Sequence, residues 1–191
     1  MSKILVISSD AMVGEDLEYY RQLPSYRRML QGGAQVKRVD SIYPSLTLPA
    51  HVTMMTGMYP DRHGITSNTL LTPKQVPAPW YWEYGPIQCG TVFKALKKAG
   101  KTTSAVFWPV TGSNPDIDYL IADNWPYGEG DTLEKAFERT GTSRSVMKIV
   151  ERHKHIYETC QQKHPERDEF GIRCAADIIR QFRPDFMMLH P

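Results

Sequence analysis

The chain has 191 residues and a mass of 21.9 kDa, room for one domain at roughly 150 residues each and for a sizeable buried core. Its 41% hydrophobic and 23% charged residues, with a mean hydropathy of -0.44, exclude a disordered or membrane-embedded chain. A net charge of +2, from 23 Lys+Arg and 21 Asp+Glu, leaves no nucleic-acid footprint: the basic groups Arg27-Arg28, Lys37-Arg38 and Lys97-Lys98 are too short for a basic face or stripe.

Three cysteines, Cys89, Cys160 and Cys174, are an odd number without CxxC spacing. They point to isolated thiols in a reducing compartment rather than a disulfide framework or a cysteine zinc site. The apolar run Ile4-Leu5-Val6-Ile7 is too short for a signal-peptide core or a membrane span, so the expected location is cytoplasmic.

Residues 3 to 7 read as a strand whose Ile4-Leu5-Val6-Ile7 run is continuously apolar, the pattern of a parallel strand covered on both faces. Residues 16 to 31 have helical spacing, interrupted by Pro24 and stopped by Gly32-Gly33, and predict one or two short helices. Val36 to Val39 reads as a second strand. Thr91 to Ala99 is a helix with Val92, Phe93, Leu96 and Ala99 inward, two lysines in its last turn and Gly100 as its stop. Thr103 to Phe107 follows as a strand, so strand, helix and strand alternate as in an α/β fold with a mostly parallel sheet flanked by helices.

From Pro109 the composition shifts to Pro, Gly, Asn and Asp, with a short strand at Tyr119 to Ala122. Helices at 131 to 139 and near 143 to 163 follow, the second with Val146, Ile149, Val150, Ile156 and Tyr157 on one face; residues 109 to 165 are the expected cap or lid excursion. Residues 166 to 182 form another amphipathic helix, with Phe170, Ala175, Ile178, Ile179 and Phe182 inward, and Phe186 to Leu189 a last strand. His153, His155 and His164 read as solvated side chains rather than a metal site. The aromatic group Trp80, Tyr81, Trp82 and Tyr84 fits a packed loop or a surface on which a base stacks.

Two strand ends bear residues suited to chemistry, because ligands in open α/β sheets bind beyond the carboxyl ends of strands. Asp10 follows the first strand. Taken alone it is a helix cap before it is a metal ligand, since lone Asp residues at strand ends are common. Thr47 stands at the N-cap of a proline-started helix from about Leu48 to Thr56, ended by Gly57. A hydroxyl there faces free N–H groups and the positive end of the helix dipole, which attract phosphate and favour an alkoxide. A plain cap uses the same geometry. A threonine nucleophile further needs a metal that depresses its pKa.

The stretch PSLTLPAHVTMMTGMYPDRHGITSN resembles the active-site segment of the type I phosphodiesterase/nucleotide pyrophosphatase family, a branch of the alkaline phosphatase superfamily. The matching positions are Pro44, Thr47, Pro49, His51, Thr56-Gly57, Pro60, His63-Gly64-Ile65 and Asn68. So many in one segment outweigh the plain-cap reading. Ala11 stands where the family commonly has glycine.

The resemblance implies an alkaline phosphatase-like fold and metal-dependent hydrolysis of phosphodiester or pyrophosphate bonds in a small phosphorylated, nucleotide-type substrate. Thr47 would form a covalent phospho-threonine. Asp10 and Thr47 would bind metal, and Asn68 and the Leu48 backbone N–H would donate to phosphate oxygens. The cofactors would be two divalent ions, zinc or manganese, about 4 Å apart. His51 and His63 are not family metal ligands, and His63 reads as a turn-stabilising side chain. The family's remaining ligands, an Asp-x-x-x-His pair, an Asp-His pair and a further His, are expected beyond residue 191. The chain then represents the N-terminal part of a catalytic domain, inactive by itself. The alternatives are a phosphonate hydrolase of the phosphonoacetate type, a phospholipid phosphodiesterase, or a non-catalytic binding module that keeps the fold.

Overall fold

A parallel sheet organises the chain. In the computed structural model, which describes residues 2–36, 38–126, 129–160 and 164–191, four strands form: β1 (Ile4–Ile7), β2 (Thr103–Val106), β3 (Tyr119–Ile121) and β4 (Phe186–Leu189). Their spatial order is β1-β4-β2-β3, with every neighbouring pair parallel. The middle strands explain their own composition. Along β4, Phe186 and Met188 enter one hydrophobic cluster and Met187 and Leu189 another. Ala105 and Val106 of β2, and Leu120 and Ile121 of β3, divide in the same way. The pleat sends successive side chains to opposite faces, and helices cover both, so a continuous apolar run is what these strands need.

β1 departs from that expectation. It lies at the end of the sheet, pairs with β4, and leaves Ile4, Leu5 and Ile7 at 58%, 46% and 53% exposure. The anticipated strand Val36 to Val39 does not appear: described residues 36, 38 and 39 belong to no strand, and Val36 and Val39 are exposed. Two valines around a basic pair offer too little apolar surface to anchor one.

The chain divides into two compact units, residues 9–41 and the remainder. The first contains a 3-10 turn (Gly14–Asp16) and two helices, α1 (Leu17–Tyr20) and α2 (Pro24–Gly32). Pro24 starts α2, where its missing N–H costs nothing. The larger unit contains the sheet and helices α3 (Thr47–Thr56), α4 (Pro60–His63), α5 (Val92–Lys98), α6 (Leu133–Arg139), α7 (Arg144–Cys160) and α8 (Glu166–Phe182).

Leu48, Val52 and Met55 of α3 and Phe93 of α5 pack on one side of the sheet. The other side receives Leu133 and Phe137 of α6, Val146, Ile149, Val150 and Tyr157 of α7, and Phe170, Cys174, Ala175 and Ile178 of α8. The stretch read as an excursion thus shares a core with the strands. Two residues expected inward, Ala99 and Ile179, are exposed. Residues 161–163, predicted at the end of α7, lie outside the described residues.

Thr91 caps α5 through its Oγ1, which accepts from Lys94 N–H at 3.2 Å. Gly171 lets α8 approach the sheet: a Cβ there would stand 2.4 Å from the Phe107 ring. Among the described residues, no helix is long and apolar enough to cross a membrane.

Candidate active site

The first turn of α3 organises the residues that the sequence singles out in the larger unit. Leu46, extended at φ -117° and ψ 154°, takes the N-cap; Thr47 is therefore the first helical residue and not the cap itself. Pro49 occupies a first-turn position where no intrahelical donor is needed. Gly57 closes the helix at φ 68°, a left-handed conformation that glycine adopts without a Cβ penalty.

A helix leaves its first N–H groups without intrahelical partners. One of them, on Leu48, donates to Asn68 Oδ1 at 2.9 Å. A backbone N–H can only donate, so the accepting atom must be the amide oxygen, and the Asn68 Nδ2 donors occupy the other branch of the amide. Asn68 thus caps α3 from twenty residues away and brings an N–H2 group to the helix end that bears Thr47. The Leu48 N–H, expected as a second phosphate donor, is engaged by Asn68 in this structure. Asn68 is itself held by its backbone, whose carbonyl accepts from Tyr81 N–H at 3.2 Å, while Thr69 bridges Trp80. Next to it Trp80 and Trp82 stack with centroids 5.9 Å apart and planes at 18°. Trp80 is 42% exposed.

Both histidines of the segment are buried. His63 is fully enclosed; its Nδ1 accepts from Ile65 N–H at 3.1 Å, so Nε2 bears the proton that Thr53 Oγ1 accepts at 3.1 Å. Burial holds its pKa below the ordinary histidine value. It stabilises the turn after α4, as its position before Gly64 suggests. His51 bonds Thr47 and Ser8 and packs against the rings of Trp108 and His190. Sequence reasoning left Ser8, Trp108 and His190 without roles. Each stands just past the carboxyl end of β1, β2 or β4, which is the signal that would have found them.

Asp10 belongs to the smaller unit. Its carboxylate accepts from Ala11 N–H at 3.0 Å, and Ala11 is left-handed at φ 52°. That conformation accounts for a preference for glycine at this turn. Among the described residues, no group of three or more His, Cys, Asp or Glu side chains is placed to hold a metal ion. One Asp falls short of the three or four protein donors that zinc takes, so the described donor set does not by itself make a zinc site.

The other titratable groups are structural. His153, expected in solvent, instead bonds Asp177 at 3.0 Å with its side chain 13% exposed. His164 pairs with Asp168, and His155 is exposed. Burial pushes the Cys174 thiol far above its ordinary range, and Cys89 is also free. The side chain of Cys160 lies outside the described residues.

The parallel α/β sheet, with Thr47 and the Asn68 amide at the N-terminus of a helix that packs on it, belongs to the class of open α/β folds in which ligands bind beyond the carboxyl ends of the strands. A sequence model of that class, the type I phosphodiesterase / nucleotide pyrophosphatase family, matches residues 4–190. The chain belongs to this family. It is 31% identical over 201 residues to an ectonucleotide pyrophosphatase/phosphodiesterase of Caenorhabditis elegans, covering 97% of this chain and 26% of that protein.

Among solved structures, it is similar in fold to phosphonoacetate hydrolase from Sinorhizobium meliloti 1021 in complex with phosphonoacetate. The TM-score is 0.63 at 19% identity, covering 99% of this chain and 46% of that one. Murine ectonucleotide pyrophosphatase / phosphodiesterase 5, as an inactive threonine-to-alanine variant in complex with AMP, aligns with TM-score 0.55 at 20% identity. That alignment covers 100% of this chain and 43% of that one. The chain therefore spans less than half the length of each of these proteins.

Proposed function

We propose that this chain supplies the nucleophile of a metal-dependent hydrolase acting on phosphodiester or pyrophosphate bonds of nucleotide-type substrates. The observation that carries the reading is the Leu48–Asn68 hydrogen bond, which holds the Asn68 amide at the N-terminus of α3, the helix that begins with Thr47. Family membership supports it, and so does the inactive threonine-to-alanine variant of murine ectonucleotide pyrophosphatase / phosphodiesterase 5 in complex with AMP.

In the proposed reaction, Thr47 Oγ attacks phosphorus and releases its proton to solvent, from which the leaving oxygen takes one up. The bond from phosphorus to the leaving oxygen breaks, and a phospho- or nucleotidyl-threonine forms. Water then attacks the same phosphorus, breaks the bond to Thr47 Oγ and restores the hydroxyl. The Asn68 Nδ2 group donates to a non-bridging oxygen whose charge grows in both transition states. The N-terminal end of α3 adds its positive dipole. Asp10 would be one carboxylate donor to the divalent ions, zinc or manganese, that the reading requires, with the remaining donors not among the described residues. Such a metal, when bound, would supply the depressed hydroxyl pKa that threonine lacks.

The test is hydrolysis of a nitrophenyl nucleotide diester by the full-length protein with zinc or manganese, in parallel with Thr47→Ala. Wild-type turnover and loss of at least about 10³-fold in the variant support the reading. Undiminished turnover in the variant overturns it. A phosphonate in the same substrate panel separates phosphonate hydrolysis from diester hydrolysis.

A further inference from the structure

We propose that His51 is a positioning residue for the nucleophile: with Ser8 it forms a strap that ties the backbone of Thr47 to the carboxyl end of β1. The inference rests on the reading of Thr47 as nucleophile. His51 Nδ1 lies 2.7 Å from the Thr47 carbonyl oxygen, and its Nε2 lies 3.0 Å from Ser8 Oγ. A carbonyl oxygen only accepts, so Nδ1 bears a proton and donates to it; in the neutral ring that the strap uses, the Nε2 lone pair accepts from the Ser8 hydroxyl. The strap engages both ring nitrogens, Nδ1 as donor to Thr47 and Nε2 on Ser8 Oγ.

The far end of the strap is fixed as firmly as the near one. Ser8 N–H donates to Leu189 O at 2.9 Å, and the Ser8 carbonyl accepts from His190 Nδ1 at 2.9 Å. His190 N–H in turn donates to Val106 O at 3.1 Å. Three adjacent strands, β1, β4 and β2, therefore feed one anchor. The ring itself cannot swing: His51 is 7% exposed, with the Trp108 ring 4.9 Å away edge-on and the His190 ring 4.2 Å away.

The Thr47 carbonyl sits on the residue whose hydroxyl does the chemistry. Hydrogen bonding at that oxygen from a ring wedged against the sheet fixes the turn's rotation about the helix axis, and with it the direction of Oγ. Misplacement of a reacting atom by about 1 Å costs on the order of 10²-fold in rate. Helix formation alone does not need this bond, since the first-turn carbonyls of α3 already serve the backbone ladder.

The experiment measures kcat and KM of the full-length protein for wild type, Thr47→Ala, His51→Ala, His51→Asn, Ser8→Ala and the His51→Ala/Ser8→Ala pair. The strap predicts a fall in kcat of about 10- to 100-fold in His51→Ala, with KM changed by less than about threefold. His51→Asn, whose amide places a donor where Nδ1 stood, recovers most of the loss. Ser8→Ala loses less than His51→Ala, and the double variant loses no more than His51→Ala alone, because both act through one connection.

Two-bond 15N–1H correlation spectra of the histidine-labelled protein should show the Nδ1–H tautomer for His51. An inactive Thr47→Ala alongside a His51→Ala variant with wild-type kcat overturns the strap and leaves the nucleophile intact. An Nε2–H tautomer, or a His51→Asn variant that folds as wild type and is as slow as His51→Ala, also overturns it. Wild-type turnover in Thr47→Ala overturns the parent reading and the strap together.

Discussion

Leu48 N–H and Asn68 Oδ1 meet at 2.9 Å, and this bond makes Asn68 a cap for α3 from twenty residues away. In the proposed reaction, structure and chemistry use opposite ends of this one side chain. The oxygen satisfies an orphan donor of α3, and the nitrogen remains for a ligand.

The two ends can be separated by substitution. Asn68→Asp keeps an oxygen for Leu48 N–H but replaces the donor with a second carboxylate oxygen, which repels a phosphate anion. We expect kcat/KM to fall by about 10²- to 10³-fold while the thermal midpoint stays within about 2 °C of wild type. Asn68→Ala should lose both activity and stability, by about 1 kcal/mol for the missing cap. Steady-state kinetics and thermal unfolding check both, and an active Asn68→Asp contradicts the role given to Nδ2.

His63 predicts a pH dependence of stability. Burial lowers its folded pKa below the ordinary value of 6.5, so the unfolded chain takes up the proton first. The contribution of His63 is complete above pH 6.5 and is lost as pH falls from there through the folded pKa, with a limiting slope of about 1.4 kcal/mol per pH unit. Protonation at Nδ1 also removes the acceptor for Ile65 N–H. Urea unfolding between pH 7.5 and 5 should show this slope in wild type and a smaller one in His63→Gln. Equal slopes would contradict the assignment.

Asp177 governs a separate, more acidic window. Its carboxylate on α8 accepts from His153 at 3.0 Å, from Arg152 at 2.7 Å and from Arg180 at 3.1 Å. The bond to His153, with further bonds to the two arginines, lowers its pKa from 3.8 to about 2. The stabilisation is therefore present above pH 3.8 and lost as pH falls through about 2. Because Arg152 and Arg180 are 59% and 76% exposed, we expect a contribution on the order of 1 kcal/mol. Unfolding of Asp177→Asn at pH 7 should show that loss, and the loss should disappear near pH 2.

Gly171→Ala tests the packing of α8. The added Cβ would stand 2.4 Å and 2.8 Å from two atoms of the Phe107 ring, which is itself buried and on a left-handed backbone at φ 55°. Alanine raises helix propensity by about 1 kcal/mol, yet overpacking costs about 1–3 kcal/mol. The expected result is net destabilisation by thermal unfolding, where helix propensity alone predicts a gain.

Much of the fold was legible because its central strands are apolar on both faces and its helices have marked stops. Phe186 to Leu189 and 166–182 match the structure residue for residue. Val36 and Val39 misled because β-branching at two positions says nothing about a partner strand. β1 has the same continuous apolar pattern as β4, but only position in the sheet decides which of them is covered.

The candidates Thr47, Leu48 and Asn68 came from the motif, and the structure brings Leu48 and Asn68 into contact at the N-terminal end of α3. What could not be read is which end of Asn68 serves the helix, since that depends on a contact between residues twenty positions apart. Nor do Ser8, Trp108 and His190 resemble a motif. They come from three strands distant in sequence, and only the sheet order β1-β4-β2 assembles them around His51.

The most direct test of the central claim is to trap the covalent intermediate. The full-length protein, mixed with a nucleotide diester and quenched in acid within one turnover, should yield a peptide containing Thr47 heavier by the mass of the transferred nucleotidyl or phosphoryl group. The adduct should be absent from Thr47→Ala. Efficient turnover with no adduct on Thr47, or an adduct on another residue, would contradict the account.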